Sequence, residues 1–192
     1  MSAEDRQRWN EKYASRQPPA GLAPDPWLAE QLAEVSPGRA LELACGLGHN
    51  AIWLAQRGWQ VDAVDISSTG LLLAENLARR CGAQVNWVAS DLDEFEPEPN
   101  AYDLVCVFRF LDRVRLPGLI ACALRPGGCL LYETFTRSHL DRPDSHLKNP
   151  AYALQPGELP RLFPTLVATC SDELALPDRN VARMAARRPS AN

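Results

Sequence analysis

Five short apolar segments alternate with segments of helical character, and this alternation limits the fold of the chain more than any other feature. The apolar segments are RALELA at 39–44, WQVDAVDI at 59–66, AQVNWVAS at 83–90, YDLVCVFRF at 102–110 and CLLYETF at 129–135. Strands that are separated by helices pair in parallel, because each helix carries the chain back across the sheet. The sequence therefore predicts an α/β fold, doubly wound, with a mostly parallel sheet and helices on both faces.

The segments between these strands carry the signals of helix ends. Ser67 is a good N-cap, and Gly58 and Gly82 are suited to follow the last turn of a helix. The N-terminal part predicts two further helices, of which the second has an apolar stripe formed by Leu28, Leu32 and Val35. The predicted helices cover residues 3–14, 24–35, 49–57, 67–82, 114–124 and 158–163.

Composition excludes several classes of partner. The 192 residues are 46% hydrophobic and 23% charged, with a net charge of -4, which is typical of a globular chain and unfavourable for binding nucleic acid. No apolar run reaches the roughly 20 residues of a membrane span, and the N-terminus lacks a signal-peptide core. The six cysteines are scattered and the three histidines lack paired ligand spacing. We expect a cytoplasmic protein without a metal ion, and no sequence feature assigns an oligomeric state.

A glycine-rich turn follows the first predicted strand. The stretch ACGLGHN at 44–50 matches the pattern G-x-G-x-x-G/A through Gly46, Gly48 and Ala51. Ligands of open parallel sheets bind at the carboxyl ends of the strands, where glycine lets the backbone approach them closely. This turn fits a nicotinamide dinucleotide or another adenosine-bearing molecule.

Three acidic residues near successive strand ends separate these two possibilities. Glu42 lies in the first strand, where its charge would repel a pyrophosphate but suits an ammonium group. Asp65 ends the second strand and can accept both hydroxyls of a ribose. Asp91 follows the third strand, beside Leu92, and suits an adenine amino group and ring face. The pattern indicates a cationic adenosine ligand without phosphate, and S-adenosylmethionine is such a molecule.

The chain resembles the class I S-adenosylmethionine-dependent methyltransferases. The resemblance rests on LELACGLGHNAIWLAQRGWQVDAVDIS, ASDLDEF, YDLVCVFRFLDR and LRPGGCLLYETF, while RWNEKYASR and NPAYALQPGEL resemble the small tellurite-resistance and thiopurine-like branch. It implies a Rossmann-like sheet of seven strands with the last strand antiparallel. Its cofactor would be S-adenosylmethionine.

The resemblance also implies roles for individual residues. Glu42, Ala44, Gly46 and Gly48 would line the methionine portion of the cofactor, Asp65 and Ile66 the ribose and adenine, Asp91 and Leu92 the adenine, and Phe108 would lie beneath the sulfonium. We add Asn50 and Trp9 as predicted cofactor contacts, although Trp9 and Tyr13 suit core packing equally well. Glu42 has a structural alternative, in which it accepts backbone amide bonds, and Asp91 has one as part of a solvated acidic loop.

Two further interpretations concern Cys45 and Arg109. Cys45 is more easily explained as a packing residue than as a nucleophile, because no base lies near it in the sequence. Arg109 interrupts an apolar strand end, so it either binds an anionic substrate or pairs with an acid such as Asp112.

No catalytic residue is firmly assigned by the sequence. The acceptor-side candidates are Arg109, Glu133, His139 and His146, and the last two belong to a long polar segment at 136–156 whose charged residues also suit a solvated surface. We predict in-line methyl transfer to a small, soft or anionic acceptor, for which no base is needed. Glu133 or one of these histidines would take the proton of an alcohol or amine.

The alternatives to this function are a nicotinamide-dependent reductase and a non-catalytic domain that binds S-adenosylmethionine. For the preferred function we predict one methyltransferase domain over residues 1–192. It comprises N-terminal helices at 1–36, a cofactor-binding core at 37–135, a lid loop with a short helix at 136–163 and a closing hairpin at 164–189.

Overall fold

A computed structural model describes residues 3–15 and 23–190 of the chain. Within these residues, seven strands form a mostly parallel sheet with helices around it, as the alternation and the resemblance predicted. The chain divides into two compact units, Met1–Glu96 and Pro97–Asn192. Residues 1–2, 16–22 and 191–192 of the predicted single domain lie outside the described part.

The N-terminal unit contains three parallel strands in the order β3-β2-β1. Its elements are α1 (Ala3–Ala14), α2 (Pro26–Gln31), β1 (Arg39–Leu43), α3 (His49–Gln56), β2 (Gln60–Asp65), α4 (Ser68–Arg80) and β3 (Asn86–Ala89). The register pairs Leu43 with Val64 and Asp65 with Ala89. The carboxyl ends of the three strands therefore lie at one edge, which places the segments that follow them close together.

The C-terminal unit contains four strands in the order β4-β5-β7-β6. Its elements are β4 (Tyr102–Phe108), α5 (Arg115–Ala123), β5 (Leu124–Phe135), α6 (Glu158–Leu162), β6 (Val167–Ala175) and β7 (Asn180–Arg187), with 3₁₀ turns at Arg137–His139 and Pro150–Tyr152. Strands β4 and β5 are parallel, whereas β7 is antiparallel to both β5 and β6. The predicted antiparallel last strand is confirmed.

Two predicted element boundaries are wrong by four or more residues. Helix α2 ends at Gln31 instead of reaching residue 35; Leu28 and Leu32 are buried, but Val35 is 42% exposed. Strand β5 begins at Leu124, five residues before the predicted start. Its first part stays extended because Gly127 and Gly128 exchange backbone hydrogen bonds with Arg188, next to the end of β7.

Two features are absent from residues 3–15 and 23–190. None of their helices has both the length and the apolar character that crossing a membrane requires. They also contain no group of three or more His, Cys, Asp or Glu side chains placed to hold a metal ion.

Candidate cofactor site

The turn from β1 to α3 has the left-handed backbone that its glycines predict. Ala44, Gly46 and Gly48 have φ angles of 54°, 56° and 68°. The Cys45 amide donates to the carbonyl of Val64 in β2 over 3.0 Å, and the Gly48 amide donates to the carbonyl of Cys45 over 2.9 Å. The turn is therefore tied to β2, and the three left-handed residues bend the chain sharply into α3.

Glu42 directs its carboxylate towards the first turn of α3. Its Oε2 accepts a hydrogen bond from the Ala51 amide over 2.9 Å, and its Oε1 accepts one from Asn50 Nδ2 over 3.0 Å. The amide side chain of Asn50 in turn accepts a hydrogen bond from the backbone of Asp25 over 2.8 Å. Glu42 and Asn50, both buried, thus hold α2, β1 and α3 together. This arrangement supports the structural alternative for Glu42, and cofactor contact by either residue stays a prediction.

Asp65 lies at the end of β2 and is 7% exposed. Its Oδ2 accepts the Gly46 amide over 2.8 Å, and its Oδ1 accepts the Ser67 amide over 2.9 Å. Burial raises the pKa of this carboxyl, although the backbone amides of Ser67, Gly46 and Ile66 act in the opposite direction. Each carboxylate oxygen can accept more than one hydrogen bond, so Asp65 retains capacity for the two hydroxyls of a ribose.

The buried thiol of Cys45 lies within electrostatic range of Glu42 and Asp65. Burial raises its pKa well above the usual value, and the negative charges of Glu42 and then Asp65 raise it further. The structure therefore brings Glu42 and Asp65 close to one point of the turn. A thiol with so high a pKa stays protonated near neutral pH, which agrees with a packing role for Cys45.

Asp91 and Leu92 begin the loop after β3. Asp91 is 6% exposed, so the alternative of a solvated side chain is wrong; its Oδ1 accepts the Asp93 amide over 3.0 Å. The preceding Ser90 amide donates to the carbonyl of Asp65 over 3.1 Å. Leu92 is 3% exposed. The loop thus places a buried acid and a buried apolar side chain beside the end of β2, as an adenine site would require.

Helix α1 packs against the glycine turn through Tyr13. A Cβ atom on Gly46 would lie 2.7 Å from the Tyr13 hydroxyl, and one on Gly70 of α4 would lie 2.9 Å from Cδ2 of the same ring. Trp9 stacks on Tyr13 with a centroid distance of 5.8 Å. Trp9 thus packs on Tyr13, and its contact with a cofactor stays a prediction.

Two residues at this site were missed by the sequence reasoning. Asn10 Oδ1 accepts hydrogen bonds from Ser67 Oγ over 2.7 Å and from the Thr69 amide over 3.2 Å, which ties α1 to the start of α4. Its spacing of three residues from Tyr13 places both on one helix face and was the available signal. The ring of Trp87 in β3 lies 2.4 Å and 2.6 Å from the position of a Cβ on Gly48. Nothing in the sequence pointed to this contact.

The C-terminal unit holds Phe108 and Arg109. Phe108 is buried at the end of β4, and its predicted place beneath a sulfonium stays a prediction. Arg109 is exposed and has a φ of 58°. The pKa of Asp178 is lowered mainly by its hydrogen bond with Arg179 and, to a smaller extent, by the charge of Arg109. Asp112 lies before α5, and its Oδ1 accepts the amides of Val114 and Arg115, each over 2.8 Å.

Glu133 is fully buried between two arginines of the C-terminal unit. Its Oε1 pairs with Arg179 Nε at 3.0 Å, and its Oε2 pairs with Arg183 Nε at 2.7 Å. Both oxygens of the carboxylate are therefore engaged by guanidinium donors. The candidates His139 and His146 lie together in the segment after β5, with ring centroids 6.1 Å apart.

Comparison with known proteins relates part of the chain to methyltransferases. Residues 40–128 match the model of a family described as "Methyltransferase domain". This match covers the predicted cofactor residues from Glu42 to Phe108, but neither Trp9 nor the segment 136–156.

Among curated proteins, the chain is 29% identical over 114 residues to a "Ubiquinone biosynthesis O-methyltransferase" of Saccharophagus degradans, covering 57% of this chain and 48% of that protein. It is 35% identical over 69 residues to a "Ribosomal RNA small subunit methyltransferase C" of Alcanivorax borkumensis, covering 36% of this chain and 21% of that protein. The chain thus spans about half or less of the length of these relatives.

Among solved structures, the magnesium protoporphyrin IX methyltransferase of Synechocystis, determined with bound SAH, aligns with a TM-score of 0.72. It shares 17% identity, and the alignment covers 96% of this chain and 98% of that chain. At this level of identity the likeness concerns the fold. The chain therefore combines a Rossmann-like fold, found also in that methyltransferase, with a segment that matches a methyltransferase domain.

Proposed function

We propose that this chain is an S-adenosylmethionine-dependent methyltransferase that acts on a small acceptor. The family match over residues 40–128 and the relatives named as methyltransferases support the reaction class. The acceptor is a soft or anionic nucleophile that attacks the methyl group in line. The segments RWNEKYASR and NPAYALQPGEL support a place in the tellurite-resistance and thiopurine-like branch.

The position of the Glu42 carboxylate carries the choice of cofactor. A dinucleotide places its pyrophosphate against the amides of a helix N-terminus. The Ala51 amide of α3 is already bonded to Glu42, and a phosphate there would meet a buried negative charge. This arrangement favours a cationic adenosine cofactor over a nicotinamide dinucleotide.

The residues of the N-terminal unit fit S-adenosylmethionine. The carboxylate of Asp65 would hold the ribose hydroxyls, and Asp91 with Leu92 would hold the adenine. The left-handed turn at Ala44, Gly46 and Gly48 would let the backbone approach the methionine portion. When bound, the cofactor supplies a methyl group on a positively charged sulfur. The protein's task is then to orient the acceptor and to exclude water.

The acceptor atom is best described as an oxygen that carries negative charge. The O-methyltransferase name of the Saccharophagus relative supports oxygen. A negatively charged acceptor needs no base, and both carboxylate oxygens of Glu133 are already paired with Arg179 and Arg183. A place in the tellurite-resistance and thiopurine-like branch would add selenite, tellurite and thiopurines to the candidate acceptors.

The cofactor is tested by isothermal titration calorimetry with S-adenosylhomocysteine and with NADPH. We expect S-adenosylhomocysteine to bind, and the variant Asp65→Ala to weaken it by a few kcal/mol, because charge-assisted hydrogen bonds contribute about 1.5–3 kcal/mol each. Asp62→Ala is the matched control, since Asp62 lies on the same strand and pairs with Arg39. Binding of NADPH without S-adenosylhomocysteine would support the reductase instead.

The reaction is tested with labelled cofactor and a panel of phenols, carboxylates, thiols, selenite, tellurite, thiopurines and ribosomal RNA. We expect transfer to at least one of the small molecules. Transfer to ribosomal RNA alone would contradict a small acceptor. Tight S-adenosylhomocysteine binding without transfer to any of them would favour the non-catalytic alternative.

A further inference from the structure

The side chain of Asn10 in α1 accepts two hydrogen bonds from the start of α4. Its Oδ1 lies 2.7 Å from Ser67 Oγ and 3.2 Å from the Thr69 amide nitrogen. A backbone amide can only donate, so the Asn10 atom at this place is the oxygen. Ser67 Oγ itself accepts the Gly70 amide over 3.0 Å, and its proton is directed to Asn10. Asn10 therefore fixes the direction of the Ser67 hydroxyl.

The residue that Asn10 holds is in turn a partner of Asp65. Ser67 is fully buried, and its backbone amide donates to Asp65 Oδ1 over 2.9 Å. A buried hydroxyl that loses its acceptor carries a desolvation penalty, so the segment around it would shift towards another acceptor. Because Ser67 is only two residues from Asp65, such a shift disturbs the hydrogen bond at the carboxylate.

The second backbone donor of Asp65 also lies against α1. The Gly46 amide donates to Asp65 Oδ2 over 2.8 Å, and Gly46 is in close contact with the Tyr13 hydroxyl. Tyr13 follows Asn10 by three residues, so both side chains project from one face of the helix. Helix α1 thus supports both backbone amides that hold Asp65, although it lies outside the segment 40–128 that matches the methyltransferase family.

We propose that Asn10 is a positioning residue for the cofactor, which acts through Ser67 to hold the Asp65 carboxylate in the orientation that accepts the two hydroxyls of the ribose. This proposal rests on the proposed function, in which Asp65 binds the ribose. Asn10 needs no contact with the cofactor for this role. A carboxylate that is oriented before the ligand arrives loses little conformational freedom on binding, so its orientation contributes to affinity.

Hydrogen exchange of the Ser67 amide, followed by NMR without ligand, tests the link between Asn10 and Asp65 first. The variant is Asn10→Leu, because leucine is close to asparagine in size, favours a helix and offers no acceptor. We expect the Ser67 amide to exchange about tenfold faster, as for one lost hydrogen bond, and the Ala63 amide in the middle of β2 to change less. An unchanged rate at Ser67, or an equal rise at Ala63, would overturn the proposal.

Calorimetry then compares S-adenosylhomocysteine with its analogue that lacks both ribose hydroxyls. The parent should bind the analogue more weakly. Asn10→Leu should weaken S-adenosylhomocysteine about tenfold, but the analogue by less than about threefold, because the analogue offers no hydroxyls for Asp65 to accept. A residue that only stabilises the fold would weaken both compounds by the same factor.

Two further variants of α1 serve as rescue and control. Asn10→Asp keeps an acceptor oxygen, and its charge is favourable near the start of α4, so binding of S-adenosylhomocysteine should stay within about threefold of the parent. Gln7→Leu makes a comparable change one turn earlier on the same helix, where the exposed Gln7 side chain donates only to Glu11. It should leave both affinities unchanged.

The outcomes separate this proposal from the proposed function. Equal losses for the two compounds in Asn10→Leu, or a loss in Asn10→Asp as large as in Asn10→Leu, would overturn the positioning role alone. So would a loss in Gln7→Leu that matches the loss in Asn10→Leu. A parent protein that binds neither compound would overturn the proposed cofactor, and the role of Asn10 with it.

Discussion

The hydroxyl of Tyr13 lies 2.7 Å from the position that a Cβ atom on Gly46 would occupy. Helix α1 and the turn after β1 are therefore in contact at a residue whose φ of 56° already favours glycine. Both the backbone and the neighbouring side chain require glycine at this position.

Replacing three glycines by alanine separates these two requirements. Gly82 has a φ of 66° and open space around its Cβ position, so Gly82→Ala should cost only the left-handed strain of about 1–2 kcal/mol, less about 0.4–1 kcal/mol because alanine lowers the entropy of the unfolded chain. Gly46→Ala should cost more, because Tyr13 must shift. Gly48→Ala should cost most, since overpacking against the rigid Trp87 ring adds about 1–3 kcal/mol. Urea unfolding measures the order.

The Tyr13 contribution is checked in the Tyr13→Phe background. Without the hydroxyl, Cζ of the ring lies 3.6 Å from the Gly46 Cβ position, which is an ordinary contact. Gly46→Ala should then cost about the same as Gly82→Ala. An undiminished cost would show that the hydroxyl is not the obstacle.

Ala44→Gly should stabilise the protein. Ala44 has a φ of 54°, a left-handed conformation that costs a residue with a Cβ about 1–2 kcal/mol. Glycine removes this strain but adds about 0.4–1 kcal/mol of chain entropy to the unfolded state, so we expect a gain of about 0.5–1 kcal/mol. In helix α3, Ala55→Gly should instead lose about 1 kcal/mol. If thermal unfolding shows that Ala44→Gly loses as much stability as Ala55→Gly, the inferred strain at Ala44 is wrong.

Asp65→Asn should change how stability depends on pH. The pKa of Asp65 is raised in the folded state, mainly by burial, so the folded protein takes up this proton at a higher pH than the unfolded chain. Its contribution to stability is fully present below the unfolded pKa of about 3.9 and is lost as the pH rises through the folded pKa. From pH 7 towards pH 4, the parent should therefore gain stability relative to the variant in urea unfolding. A relative loss would mean that the pKa is lowered.

Glu133→Gln should destabilise the protein strongly. The carboxylate is fully buried and pairs with Arg179 and Arg183, and removing one partner of a buried ion pair costs about 3–5 kcal/mol. The control Asp103→Asn breaks the exposed pair with Arg125 and should cost less than about 1 kcal/mol. Similar losses in denaturant unfolding would show that burial does not set the strength of the Glu133 pairs. Methyl transfer that survives in folded Glu133→Gln would exclude this residue as a base.

The sequence predicted well those elements whose signals lie within a few neighbouring residues. Helix α1 has the predicted bounds, Ser67 caps α4 by accepting the Gly70 amide over 3.0 Å, and the glycine turn has the expected left-handed backbone. Periodicity, caps and turn residues act over a few neighbouring residues, so they can be read along the chain. The predicted end of α2 at Val35 was wrong, because where a helix ends depends on the segment that follows it.

The partners of the buried polar groups were decided by the tertiary structure. An acid in an apolar strand such as Glu133 had to be paired, but its arginines lie 46 and 50 residues further along the chain. Asn10 meets Ser67 across 57 residues, and Glu42 turned out to hold Asn50 and the first turn of α3. Hydrophobic periodicity determines which face of an element is buried. Which polar atoms then meet depends on the register and packing of segments far apart in sequence, and no short-range pattern encodes that.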